Sequence, residues 1–146
     1  KALAMRAGEE VWNKGDMAVA DEIIASDFIY HVDTAPEGKG IIRGLDAMKQ
    51  YIKVCRTAWP DLRITLVEPQ MAQGDRTAAR WVLRGTFTGV VEKWPAPTGK
   101  ETVFEGLSMW RFAGGKIAEE WCLYQDTFMW YQMGMKLVPA EEKGKK

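Results

Sequence analysis

The sequence predicts an α+β fold in which helices come first and a curved, largely antiparallel sheet closes over them. Three observations predict it. Apolar residues recur at helical spacing in residues 2–13, 17–25 and 47–59. From Asp61 onward the pattern changes to period two, and short turns separate the alternating runs. Two of those runs, 77–89 and 101–112, are long, and a sheet of such strands must twist and curl. A curled sheet closed on one side by helices is a cone with an open mouth, which is a natural pocket.

The elements follow in order. "ALAMRAGEEVWN" has helix formers throughout, with Leu3, Ala7 and Val11 on one stripe, and Gly15 ends it. Asp16 is placed to cap a second helix, "MAVADEIIA", which Ser26 and Asp27 break. "FIYHVD" reads as a short strand with Phe28, Tyr30 and Val32 on one face and Ile29 and His31 on the other. "TAPEGKG" is a loop by composition. Gly44 and Asp46 open the longest helix, on which Met48, Tyr51, Ile52, Cys55 and Trp59 share a face until Pro60 stops it; the lysines and Arg56 lie on the opposite, solvated side. "LRITLVE", "TAARWVLRGTFTG", "ETVFEGLSMWRF" and "KIAEEWCLY" form a four-strand meander, with "QGDR" and "AGG" as turns and "VVEKWPAPTGK" as a loop that embeds Trp94. In the last strand Ile117, Trp121 and Leu123 fall on one alternating set, and Glu120 and Cys122 on the other. Residues 1–138 are expected to form one domain and 139–146 a disordered tail.

Composition narrows the function classes. Twenty basic and twenty acidic side chains cancel, which gives no electrostatic footprint for nucleic acid or an anionic membrane surface. No apolar run is long enough to span a bilayer. Cys55 and Cys122 have no metal-ligand spacing and read as buried thiols of a reducing compartment, so a cytoplasmic location is expected. His31 is the single histidine, which excludes a multi-histidine metal site. Seven Trp, five Phe, four Tyr and eight Met supply enough flat, polarisable surface for a tight core or a roomy apolar cavity.

Two residues are candidates for chemistry. Asp126 ends the last strand ahead of the aromatic segment "TFMWYQMGM". One reading makes it the cap of a helix beginning near Thr127. The other makes it a general acid/base, set among Trp110, Trp121 and Tyr124, whose apolar surfaces favour a carboxyl that titrates near neutrality. His31 lies near the end of the first strand, where it could polarise a carbonyl, share a proton with Asp126, or bond only to loop backbone. Arg80 and Glu105 sit on neighbouring strands and can pair, either facing a substrate or on the outer face. Trp81, Phe87 and Trp110 are core residues that double as pocket wall in a cone, and Tyr51 on the long helix faces the same space.

"GDMAVADEIIASDFIYHVD", "PDLRITLVE", "QGDRTAARWVLRGTFTG", "PTGKETVFEGLSMWRF" and "GKIAEEW", in this order and spacing, resemble the SnoaL-like polyketide cyclase family. The resemblance runs over residues 5–135. It implies a cone-shaped curved mixed β-sheet packed on N-terminal helices, the nuclear-transport-factor-2-like or cystatin-like α+β barrel. It implies ring closure by intramolecular aldol chemistry without metal or cofactor, an acid/base carboxylate on the last strand, a small apolar substrate and a homodimer paired through the outer sheet face. The chain departs from the family pattern twice. Phe87 stands where many members have a histidine, and the position four residues after the strand tryptophan is Gln125, with Asp126 one later. Relatives of this fold also include binding proteins without catalysis, so a pocket that only holds a hydrophobic ligand is the second reading.

Overall fold

A computed structural model describes residues 1–32 and 40–139 of the chain. The expected loop at 34–40 lies, except for Gly40, outside the described residues, as does the tail from residue 140 onward. The N-terminal helix starts as α1 (Ala2–Arg6) and continues as a π-helical segment (Ala7–Asn13). It is followed by α2 (Met17–Ile23), β1 (Ile24–Val32), β2 (Ile41–Arg43), α3 (Leu45–Ala58), β3 (Arg63–Gln73), β4 (Arg76–Thr86), β5 (Glu101–Ala113), β6 (Lys116–Tyr124) and α4 (Asp126–Gln132).

The six strands form one mixed sheet in the order β2-β1-β6-β5-β4-β3. The meander β3 to β6 is antiparallel as its alternation predicts. The first strand joins it by running parallel to β6, and the short β2, absent from the sequence reading, pairs with β1 on the far side. β1 also starts earlier than the break at Ser26 and Asp27 suggests. Ile24 is already extended, at φ −109° and ψ 139°, a conformation that suits a β-branched residue. Those two polar residues lie inside the strand, exposed, in a stretch where the pairing with β6 slips.

Helix α3 packs Leu45, Met48, Ile52, Cys55 and Ala58 toward the sheet, the face its spacing marks. Arg56 corrects the reading of the opposite face as simply solvated. Its guanidinium donates to the carbonyl oxygens of Trp12 and Asn13, each at 2.7 Å, and so satisfies acceptors left open at the end of the N-terminal helix. Asn13 fixes the same end to β3: its amide donates to the Ile64 carbonyl at 2.9 Å and accepts from the Ile64 N–H at 2.6 Å. Past β4 the chain crosses the end of α3 at Gly89, where a Cβ would sit 1.6 Å from the Thr57 carbonyl oxygen, so only glycine fits.

One irregularity matters for function. In the β5–β6 ladder Arg111 faces Glu119 and Phe112 faces Ile117, so Ala118 is an extra residue, a β-bulge. The bulge reverses the parity of β6. Ile117, Glu120 and Cys122 are buried on the helix side of the sheet, whereas Trp121 and Leu123 turn to the outer face. The alternating set Ile117, Trp121 and Leu123 is therefore split, because the bulge intervenes between its first and second members.

Candidate active site

The sheet and helices enclose a cavity of about 120 Å³. Ala4, Ala7, Gly8 and Trp12 close it from the N-terminal helix, and Tyr51 and Cys55 from α3, with Trp59 just past its end. Tyr30 enters from β1, Ile64 and Leu66 from β3, and Trp81 and Leu83 from β4. Phe104, Ser108 and Trp110 on β5 and Glu120, Cys122 and Tyr124 on β6 form the sheet wall. Trp94 of the loop and Met129 and Trp130 of α4 complete the lining. The Trp94 and Trp130 rings meet edge to face at 5.3 Å, and Trp94 meets Trp59 at 5.8 Å, so loop and helix share one aromatic wall. Gln132 fastens α4 to the sheet: its amide donates to the Val103 carbonyl at 2.8 Å and accepts from the Val103 N–H at 2.9 Å.

Six of the seven tryptophans line this space. Among the described residues, Glu120 is the one Asp, Glu, Lys, Arg or His side chain that does. It is 9% exposed. Burial pushes its carboxyl up to about 7, against opposing hydrogen bonds from Ser108 and Trp110. Ser108 in turn accepts from the Trp81 indole N–H at 3.0 Å. Burial also raises the Tyr30 phenol well above its ordinary value and the Cys55 thiol to about 12, so both are neutral around pH 7. The arrangement is a carboxyl poised between acid and base at neutral pH, held by hydrogen bonds inside an aromatic box.

The structure brings together three of the residues singled out in the sequence. Tyr51, Trp81 and Trp110 line the cavity. Asp126 does not: it is the first residue of α4, and its carboxylate accepts from the Thr127 N–H at 2.6 Å. This is close to the capping alternative, although the cap position itself is Gln125. His31 and Trp121 lie on the outer face, their rings parallel at 5.0 Å, with the Arg76 guanidinium 5.0 Å from the Trp121 ring and the His31 Nε2 2.8 Å from Glu119. Both are placed there by strand parity, His31 on β1 directly and Trp121 on β6 through the bulge. Arg80 and Glu105 pair on the exposed outer side, and Phe87 is fully buried against Trp59 rather than on the cavity wall. The carboxyl that does face the cavity, Glu120, was visible in the sequence only as the alternation partner of Cys122. Among the described residues no group of three His, Cys, Asp or Glu side chains is arranged to hold a metal ion, and no helix is long and apolar enough to cross a membrane.

The model of the SnoaL-like polyketide cyclase family matches residues 2–133. The chain belongs to that family. As a SnoaL-like protein it also shares its fold with solved structures. It superposes on IdmH of Streptomyces antibioticus, a proposed polyketide cyclase, with a TM-score of 0.78 at 27% identity over 92% of this chain and 97% of that one. A proposed polyketide cyclase from Acidithiobacillus ferrooxidans gives 0.78 at 21% identity, covering 91% and 92%. AclR of Streptomyces galilaeus, a proposed hydroxylase, gives 0.75 at 24% identity, covering 94% and 83%. The last two establish the fold alone, the nuclear-transport-factor-2-like cone. No curated protein matches the chain. In this SnoaL-like chain the acidic side chain of the last strand that reaches the cavity is Glu120, five residues upstream of Gln125.

Proposed function

We propose that the chain is a cyclase or isomerase for a flat, apolar, carbonyl-bearing small molecule, with Glu120 as its general acid/base. The observation that carries the reading is the buried Glu120 carboxyl, titrating near 7 within a cavity whose walls are otherwise aromatic and apolar. In its ionised form Glu120 takes a proton from the carbon next to a carbonyl, and an enolate forms. In ring closure the enolate carbon attacks a second carbonyl of the same molecule, one carbon–carbon bond forms as that carbonyl π bond breaks, and the protonated Glu120 returns its proton to the new alkoxide. In isomerisation the proton returns to another carbon. The aromatic walls hold the substrate folded and keep water away from the enolate. The chemistry calls on no metal or cofactor.

Tryptophan fluorescence tests the binding half, because six indoles face the cavity. A titration with flat polycyclic ketones should saturate at micromolar ligand in wild type and in Glu120→Gln, with conversion confined to wild type. Binding without conversion in either protein would leave the pocket of a binding protein, and absence of binding would sink the reading. The chain is further proposed to form a homodimer through its outer sheet face. Leu107 and Leu123, paired across β5 and β6, are 48% and 65% exposed there, which supports the pairing. Analytical ultracentrifugation of wild type and Leu123→Glu tests it, since a charge on that face should leave only monomer.

A further inference from the structure

We infer that Ser108, locked by Trp81, is the positioning residue that fixes the orientation and proton affinity of Glu120. This rests on the reading of Glu120 as the acid/base group and extends it to a two-step relay. The Trp81 indole is a donor only, and its N–H goes to the Ser108 Oγ at 3.0 Å in a buried setting. A serine hydroxyl has a single proton. With Trp81 donating to the oxygen, that proton is left for a neighbouring acceptor, and the Glu120 carboxyl lies diagonally across the β5–β6 ladder, where Ser108 pairs with Cys122 and Trp110 with Glu120, all four side chains on the cavity side. Trp110, which faces Glu120 across the β5–β6 ladder, supplies a second donor. The other titratable side chains facing this space are Tyr30 from β1, Tyr51 and Cys55 from α3, and Cys122 and Tyr124 from β6. Among the described residues no other Asp, Glu, Lys, Arg or His side chain faces this space, so Ser108 and Trp110 are the groups that oppose the effect of burial on Glu120.

The test needs no substrate. The protonation midpoint of Glu120 is read by carbon-13 NMR of the full chain labelled at glutamate carboxyls, with Glu120→Gln assigning the resonance. Ser108→Ala should raise the midpoint by about one pH unit, the order expected for losing one hydrogen bond to a carboxylate. Trp81→Phe should raise it in the same direction, because the unlocked hydroxyl can turn away. Since the two residues act in series, Ser108→Ala with Trp81→Phe should raise it no more than Ser108→Ala alone. Additive shifts, or a Trp81→Phe midpoint equal to wild type, would overturn the relay. A Glu120→Gln protein that retains full conversion of ketones would instead overturn the functional reading and leave the relay standing.

Discussion

Glu119 and Glu120 are adjacent on β6 and titrate in opposite directions. Glu119 faces outward, where the His31 ring and then the Arg111 guanidinium hold its carboxyl below the usual range. Glu120 faces the cavity, where burial pushes its carboxyl up to about 7. One peptide bond separates a structural ion pair from the proposed acid/base, because adjacent strand residues point to opposite faces.

This contrast predicts opposite effects on pH-dependent stability. Glu120 is raised from an ordinary 4.5 to about 7, so between those values the folded state holds a proton that the unfolded chain has released. Stability therefore falls as pH rises through that window, and the group's effect is constant above it. Two and a half pH units at about 1.4 kcal/mol each amount to roughly 3.5 kcal/mol. Glu120→Gln should gain on wild type by up to that amount between pH 4.5 and 7, measured by urea unfolding across pH.

For Glu119 the sign reverses. Its contribution is complete above its ordinary value of 4.5 and is lost as pH falls through its lowered folded value. Glu119→Gln should lose roughly 1 kcal/mol at pH 7, as expected for a partly exposed pair, and should show less acid destabilisation than wild type. Thermal melts from pH 2 to 7 check it.

Gly106 lies on β5 directly opposite Trp81, a residue of the cavity wall. A Cβ there would meet the Trp81 Cζ2 at 2.4 Å and the Leu123 carbonyl oxygen at 2.5 Å. Gly106→Ala should cost about 1–3 kcal/mol of stability through overpacking and should weaken ketone binding by displacing the Trp81 ring. Denaturant midpoints and the fluorescence titration report the two effects separately.

Local signals were legible where local physics sets them. Asp16 caps α2 as the sequence indicates, accepting from Ala18 and Val19 N–H groups at 3.0 and 3.2 Å. Asp16→Ala should therefore cost about 1 kcal/mol, read from the denaturant midpoint. The α3 face and the meander were equally plain. The site was not, because it depends on a bulge. Ala118 carries no mark of being an extra residue, yet it moves Trp121 out of the cavity and leaves Glu120 in it. Pairing of β1 with β6 joins segments far apart in sequence, and no local pattern specifies it. Asp126 comes one residue after the position at which the family pattern has its carboxylate, and the helix start at that residue takes its side chain to the Thr127 N–H.

The most direct test is proton exchange on a small flat ketone. The rate at which 2-tetralone exchanges its α-hydrogens for deuterium is followed by NMR with wild type, Glu120→Gln and Asp126→Asn. With Glu120 as the base, the wild-type rate should rise through about pH 7, fall by roughly 100-fold or more in Glu120→Gln, and stay unchanged in Asp126→Asn. Exchange that survives in Glu120→Gln and disappears in Asp126→Asn would contradict that role.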